Sequence, residues 1–226
     1  MSPAPVNAQP FEFHLKMDEC AFLIIDMQRD FVEPGGFGES LGNDVSLLRS
    51  TILPTARLLA AWREMGGKVI HTREGHLPDL SDLPESKRTR GNPEIAIGDT
   101  GPMGRILIRG EAGQGIIPEL APAEGECVID KPGKGAFYNT SLGDYLKAEG
   151  ITQLIVAGVT TEVCVHTTVR EANDRGYDCL VLSDCTGSYF PEFHEMALKM
   201  VVAQSGIFGW VSESASILNA LDKLKE

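Results

Sequence analysis

A long hydrophobic run is the first feature that this sequence of 226 residues lacks. Its strongest apolar runs, residues 21–25 and 154–159, are far shorter than the roughly 20 residues that a membrane-spanning helix needs. Basic residues are also few, because 20 Lys and Arg stand against 32 Asp and Glu, for a formal net charge of −12. Such a charge disfavours nucleic acid and anionic membranes as partners. We therefore expect neither.

Cysteine pairs are lacking as well. The five cysteines are an odd number and form no CxxC motif, which argues against a zinc or redox site and favours free thiols. The N-terminal segment up to Lys16 contains prolines, and Lys16 is soon followed by the acidic residues Asp18 and Glu19, which is not typical of a secretory signal. We expect a cytoplasmic protein.

Short apolar runs do occur, and they alternate with helical patterns. Strands are predicted over residues 20–26, 68–73, 126–130, 153–158 and 177–184, with a weaker strand near 207–211. Helices are predicted over about residues 44–65, 141–148, 164–175, 192–204 and 212–223. This alternation predicts a doubly wound α/β fold, with a mainly parallel sheet and helices on both faces. The length favours a single domain over residues 1–226.

One segment interrupts the alternation. Residues 75–119 are rich in glycine and proline and carry a basic cluster, Lys87, Arg88 and Arg90. A loop of this length is typical of a functional lid, but a solvated insertion is an equal alternative.

Chemically useful residues follow several predicted strands. In an open parallel sheet the ligand crevice lies beyond the carboxyl ends of the strands. Asp26, Lys131 and Cys164 all stand at or just after such ends. Cys164 is our preferred nucleophile because it begins a predicted helix, where the helix dipole favours a thiolate and backbone N–H groups can hold an oxyanion. Cys185 is the second choice, and a small buried hydrophobe is the alternative for either cysteine.

The other polar residues take supporting roles in this hypothesis. Asp26 would accept the thiol proton and return it to a departing amine, and Lys131 would orient that carboxylate. A capped loop and a solvated lysine are the structural alternatives. Glu74 and His76 could begin a metal site, but no second histidine follows closely, so we expect no metal.

Three motifs in this order resemble the cysteine hydrolase, or isochorismatase-like, superfamily. They are Leu23-Ile-Ile-Asp-Met-Gln-Arg-Asp-Phe31, Asp130-Lys-Pro-Gly-Lys-Gly-Ala-Phe137 and Gly158-Val-Thr-Thr-Glu-Val-Cys164. The resemblance implies a Rossmann-like fold and a catalytic triad of Asp26, Lys131 and Cys164. It also implies a cis peptide bond between Val159 and Thr160, with an oxyanion hole formed by the N–H groups of Thr160 and Cys164.

Within the superfamily, the chain looks similar to the biuret and triuret hydrolases. By that resemblance, Phe31 and Phe137 would wall the pocket, and Lys134 and Gln204 would bind substrate carbonyls. Tyr189 and Glu192 are added candidates for binding a longer urea chain. No cofactor is implied, and the superfamily suggests a homo-oligomer, a tetramer.

Three functions remain open on this basis. The first is a metal-independent cysteine amidohydrolase that cleaves a terminal C–N bond of triuret or biuret through a thioester. The second is a ureidoacrylate or N-carbamoyl-acid amidohydrolase, whose substrate carboxylate would need a cationic anchor such as Arg73, Lys87, Arg88 or Arg90. The third is a thiol-sensing or binding protein without turnover.

Overall fold

The computed structural model describes residues 2–90 and 95–225 and is organised around a parallel β-sheet. The strands are, in chain order, β1 (Ala4–Val6), β2 (Phe13–Leu15), β3 (Cys20–Ile25), β4 (Lys68–Glu74), β5 (Thr100–Gly101), β6 (Gly104–Arg105), β7 (Cys127–Lys131), β8 (Gln153–Val159), β9 (Asp178–Gly187) and β10 (Trp210–Ser212). Six of them form the central sheet in the order β10-β9-β8-β3-β4-β7. Every neighbouring pair in it is parallel.

The helices alternate with the strands along the chain, and the longer ones pack on the two faces of this sheet. They are α1 (Arg29–Val32), α2 (Phe37–Ser40), α3 (Val45–Arg49), α4 (Ile52–Glu64), α5 (Glu85–Arg88), α6 (Leu142–Ala148), α7 (His166–Asp174), α8 (Pro191–Gly206) and α9 (Ser214–Leu224). Shorter 3₁₀ segments cover Met17–Glu19, Ala112–Gln114 and Pro118–Leu120, and a π-helical turn covers Thr161–Val165.

Strand β3 shows why the sheet is covered on both sides. Its side chains are all buried and point alternately to opposite faces. Phe22 packs in the core layer that includes Trp62 of α4 and Leu221 of α9. Leu23 packs in the opposite layer, with Leu146 of α6 and other residues of α6 and α7. The predicted mainly parallel α/β fold with helices on both faces is confirmed.

Two predicted helices differ in detail from the structure. The single helix expected over 44–65 is divided into α3 and α4, because Pro54 cannot donate a backbone hydrogen bond and fits only in the first turn of a helix, here that of α4. The helix expected over 164–175 is preceded by the π-helical turn that contains Cys164. The antiparallel pair β1 and β2 was not predicted. The assignment of residues 1–226 to one domain stays a prediction.

The inserted segment is partly packed into the fold. His76 forms an isolated bridge with Ile108, and Gln28 forms another with Ile116. Ile106, Leu107 and Ile108 are buried. The second half of the segment is therefore an integral part of the core, whereas α5 is exposed apart from the partly buried Lys87.

Two surface properties bear on the expected partners. No helix in the described ranges combines the length and apolar character needed to cross a membrane. The outer face of α8 exposes Phe193, Met196 and Met200. The expected homotetramer stays a prediction.

Candidate active site

The chain order of the sheet creates a crevice at the carboxyl ends of β3 and β8. From β3 the chain continues to β4 and β7 on one side, and it then returns to β8 on the other side of β3. Ligands bind at such switch points in open α/β sheets. Gly158 of β8 is needed for this close approach, since a Cβ atom there would collide with the backbone of Ile25. Asp26 and Cys164 follow the two strands that border the crevice.

Asp26 is fixed by a buried ion pair. Its Oδ2 lies 2.6 Å from Lys131 Nζ, and both side chains are fully buried. The Thr72 hydroxyl donates to Asp26 Oδ1 at 2.6 Å. The backbone of Asp26 is left-handed, with φ of 51°, a conformation that aspartate tolerates better than most residues. The role of Lys131 in orienting the Asp26 carboxylate stays a prediction, and the ion pair places the two groups in contact.

Lys131 is held in place by two further acceptors. Its ammonium group donates to the carbonyl oxygens of Gly133 and Lys134 at 2.9 and 3.0 Å. Burial alone would lower the pKa of Lys131, but the negative charges of Asp26 and Glu74 raise it above its usual value. Lys131 is therefore a fixed cation inside the site.

Glu74, the last residue of β4, is a second buried carboxylate that we did not predict as a catalytic group. Its Oε1 accepts hydrogen bonds from Lys134 and Lys87, each at 2.9 Å, and its Oε2 lies 4.0 Å from Lys131 Nζ. Burial would raise the pKa of Glu74, but these three lysines lower it to about 2. Glu74 is thus a carboxylate at neutral pH. The rule that drew attention to Asp26, a polar residue at the carboxyl end of a strand, applies equally to Glu74.

Cys164 lies against the two carboxylates. Its Sγ is 3.8 Å from Glu74 Oε2, and the sulfur and one oxygen each of Asp26 and Glu74 all lie within 4.8 Å of one another. Burial, together with these carboxylates, raises the pKa of the Cys164 thiol more than Lys131 lowers it. Any contribution of the helix N-terminus in favour of a thiolate is therefore outweighed here by burial and the two carboxylates. The thiol needs a nearby base to become a nucleophile.

The peptide bond between Val159 and Thr160 is cis, as the resemblance implied. The π-helical turn that follows carries Cys164 and begins with Val165 N–H donating to the Thr160 carbonyl oxygen at 3.2 Å. The oxyanion hole formed by the N–H groups of Thr160 and Cys164 stays a prediction.

The same three groups, Asp26, Glu74 and Cys164, are the kind that binds a metal ion. The ammonium of Lys131 already lies between the two carboxylates, at 2.6 and 4.0 Å. A divalent cation at this point would be repelled by that charge, so the donor set does not fit a metal while Lys131 is protonated.

The predicted substrate-binding residues do not all lie in one place. Lys134 is linked to the triad, because its ammonium donates to Glu74, which in turn contacts Cys164. Phe31, partly buried on α1, is joined to Tyr189, whose hydroxyl donates to the Phe31 carbonyl oxygen at 2.7 Å. Glu192 is exposed in the first turn of α8.

Phe137 and Gln204 have their described contacts away from Asp26 and Lys131, although Phe137 belongs to the buried cluster that includes Cys164. Phe137 points into the core, where its ring stacks on Tyr177 at 5.9 Å between centroids and Arg175 covers it at 4.8 Å. It lines a separate cavity of about 740 Å³ that contains no triad residue. Gln204 is exposed in the left-handed break at the end of α8, near the amino ends of the strands. Their assignment to the pocket stays a prediction, which these contacts do not support.

A second cavity, of about 460 Å³, also has no triad residue in its lining, but it is linked to the triad through Glu74. Lys87 and Lys134 line it and both contact Glu74, which contacts Cys164. Arg90 and the exposed ring of Tyr138 also line this cavity. Of the described residues lining this cavity, three are cations and none is acidic.

Comparison with known proteins decides the family. The profile of the isochorismatase domain matches residues 20–216. The chain belongs to the isochorismatase family. The prediction that this chain is a hydrolase of amide C–N bonds is confirmed at the level of this family.

Relatives and solved structures of the isochorismatase family support this membership over nearly the whole chain. The chain is 31% identical to the ureidoacrylate amidohydrolase RutB of Serratia proteamaculans, over 95% of this chain and 87% of that protein. It is 30% identical to RutB of Yersinia enterocolitica, over 96% and 95%. A crystal structure of a cysteine hydrolase from Pseudomonas syringae pv. phaseolicola superposes with a TM-score of 0.79 and 25% identity, covering 99% of both chains.

Proposed function

We propose that this family member is a ureidoacrylate-type amidohydrolase, which removes ammonia from the terminal carbamoyl group of a ureido compound that carries a carboxylate. The observation that supports this substrate class is the cation-lined cavity, two of whose lysines contact Glu74, the carboxylate next to Cys164. The relatives described above are ureidoacrylate amidohydrolases. Biuret and triuret, which resemblance to their hydrolases suggested, have no carboxylate to match these cations.

The candidate anchors separate clearly in the structure. Arg73 pairs with Asp130 at 2.8 Å, and Arg88 pairs with Glu85 at 2.9 Å on the surface. Arg90 and Lys134 line the cavity; the Lys134 side chain is 47% exposed, while its ammonium donates to both oxygens of Glu74. We assign the substrate carboxylate to the Arg90 guanidinium, with Lys134 as a second donor, because two of the three N–H groups of the Lys134 ammonium are bound to Glu74 and one is left.

The chemistry follows from the triad. Asp26 accepts the Cys164 thiol proton, and the sulfur attacks the terminal ureido carbonyl carbon. The C–N bond breaks, and ammonia leaves with the proton that Asp26 returns. Water then hydrolyses the thioester, regenerates the thiol and releases a carbamate, which loses carbon dioxide to give an amine. Lys131 keeps Asp26 oriented through these steps.

Ammonia release from the purified protein tests this proposal. Ureidoacrylate, biuret, triuret and nicotinamide are compared in parallel, with chelator-treated and thiol-alkylated controls. The matched pair 3-ureidopropionate and n-propylurea differs in the carboxylate alone. We expect turnover of the acids, inhibition by acrylate, loss on alkylation and no effect of chelator.

Other outcomes would favour the alternatives. Preferred turnover of biuret or triuret without inhibition by acrylate would overturn the carboxylate assignment and support an oligo-urea hydrolase. No turnover of any amide, together with reversible mixed disulfides at Cys164, would support the thiol-sensing reading.

A further inference from the structure

A lysine ammonium lies in a pocket of three acceptors at the edge of the active site. Lys87 Nζ donates to Glu74 Oε1 at 2.9 Å and to the Pro132 carbonyl oxygen at 2.8 Å, and it lies 3.0 Å from His76 Nε2. Glu74 and His76 are fully buried, whereas Lys87 enters from the exposed helix α5. The three N–H groups of the ammonium match three acceptors in number.

The protonation state of His76 is consistent with its Nε2 acting as an acceptor for Lys87. His76 Nδ1 lies 3.2 Å from Asp82 Oδ1, and a carboxylate there requires a donor on that nitrogen. The other ring nitrogen, Nε2, is then an acceptor that faces Lys87. Burial and the charge of Lys87 lower the pKa of His76, which favours this neutral form. A carboxylate that orients a histidine whose second nitrogen faces a cation is an arrangement typical of metal sites.

We propose that Glu74, His76 and the Pro132 carbonyl form a cation-binding site filled by the Lys87 ammonium, and that this tethered cation positions Glu74 against Cys164. Lys87 and Lys134 each donate to Glu74 Oε1 at 2.9 Å. Oε2, which also accepts from Lys134 at 3.2 Å, faces the Cys164 sulfur at 3.8 Å. Lys87 is a positioning residue, because it acts through Glu74 and its three donors are already engaged. The inference rests on the proposed amidase activity for one of its two readouts.

Truncation of the side chain tests the site directly. Lys87→Ala removes three methylene groups and the ammonium, which n-propylammonium replaces atom for atom. We expect Lys87→Ala to lower kcat about 10- to 100-fold with little change in KM, the size of effect usual for a residue that orients a reacting group. Millimolar n-propylammonium should recover about tenfold of this loss, whereas 1-propanol should recover none.

Three variants separate positioning from a general loss of structure. Lys87→Met keeps the length of the side chain and fills the space, so it should lose activity as Lys87→Ala does but show no recovery with n-propylammonium. Lys87→Arg keeps a cation and should retain more activity than Lys87→Met. Arg88→Ala, on the same helix with its charge paired to Glu85, should match the wild type.

Binding gives a readout that does not require turnover. In Lys87→Ala, n-propylammonium and Zn²⁺ should each raise the Tm, and His76→Ala in the same background should abolish the effect of Zn²⁺. Absence of both stabilisation and chemical recovery in a folded Lys87→Ala would overturn the proposal. If the wild type releases no ammonia from any substrate, the proposed function fails, while the Tm measurements still decide the cation site.

Discussion

Lys131 Nζ lies 2.6 Å from Asp26 Oδ2, and neither side chain is exposed to solvent. A buried ion pair of this kind adds little net stability over an apolar pair, but loss of one partner leaves an uncompensated charge in the core. The second carboxylate, Glu74, is 4.0 Å from the same ammonium. Removal of Lys131 would therefore leave two buried carboxylates with less compensation.

This arrangement predicts a large effect of Lys131→Met on stability. The methionine fills similar space without charge, so we expect a loss of about 3–5 kcal/mol in the free energy of unfolding. Urea unfolding followed by circular dichroism measures it. The double variant Lys131→Met with Asp26→Asn should recover part of the loss and remain inactive. A Lys131→Met variant as stable as the wild type would contradict the strength of this coupling.

Substitution of Cys164 tests the nucleophile. Cys164→Ser and Cys164→Ala should each lower kcat by about 10³-fold or more, because no other nucleophilic sulfur lies beside the Asp26 carboxylate. The Tm should change little, since both substitutions are small. Ammonia release and thermal unfolding measure the two effects, with Cys185→Ser as the matched buried control. Turnover near the wild-type value in both Cys164 variants would remove Cys164 from the mechanism.

The two carboxylates near the sulfur should not be equivalent. Asp26→Asn removes the proposed base and should lower kcat by about 10²-fold or more. Glu74→Gln keeps a polar group beside the thiol and should lower kcat less. Steady-state kinetics at saturating substrate compares the two variants directly. A larger loss in Glu74→Gln than in Asp26→Asn would assign the proton transfer to Glu74.

Strand ends were predictable from the sequence because continuous apolar runs fix where a parallel sheet begins and ends. The same rule placed Asp26, Lys131 and Cys164 at one edge, and the structure brings them together. The state of the Cys164 thiol was not predictable, since it depends on burial and on Glu74, which comes from another strand.

Side-chain direction is the part of the site that the sequence motifs do not encode. Phe137 belongs to a recognised motif, but its ring turns into the core against Tyr177. The motif residue Lys134 instead lines the cavity, beside Tyr138 and Arg90. Arg90 was only one of four cations in the inserted segment and near it, and its selection depends on tertiary packing that no local pattern encodes.

The lowered pKa of Glu74 predicts a pH dependence of stability. The pKa is about 2 in the folded protein against 4.5 for an ordinary glutamate, so the folded state favours the carboxylate. This contribution, about 3 kcal/mol, is fully present above pH 4.5 and is lost as the pH falls towards 2. Glu74→Gln should show a shallower loss of unfolding free energy between pH 5 and 2 than the wild type.

A second carboxylate titrates in the same range and serves as the comparison. The pKa of Glu126 is also lowered to about 2, because burial is outweighed by hydrogen bonds from Arg63, the Ala123 N–H and His71. Glu126→Gln should flatten the same part of the stability curve but leave kcat near the wild-type value. Identical pH curves for Glu74→Gln and the wild type would contradict the assignment to Glu74.

Arg90 should control the affinity for the substrate carboxylate. It lines the 460 Å³ cavity with Lys134 and has no role in holding Glu74, so Arg90→Ala removes a carboxylate contact without disturbing the triad. A charge-assisted hydrogen bond contributes about 1.5–3 kcal/mol, which corresponds to roughly a 10- to 150-fold rise in KM for 3-ureidopropionate.

The matched compound n-propylurea tests whether this effect depends on the substrate carboxylate. Arg90→Ala should leave kcat/KM for n-propylurea unchanged, because that compound lacks the carboxylate. Arg88→Ala, two residues away, should leave KM for both compounds at the wild-type value, since its guanidinium is occupied by Glu85. An equal rise in KM for the acid and for n-propylurea would show that Arg90 shapes the cavity without binding the carboxylate, and the anchor would then be Lys134 alone.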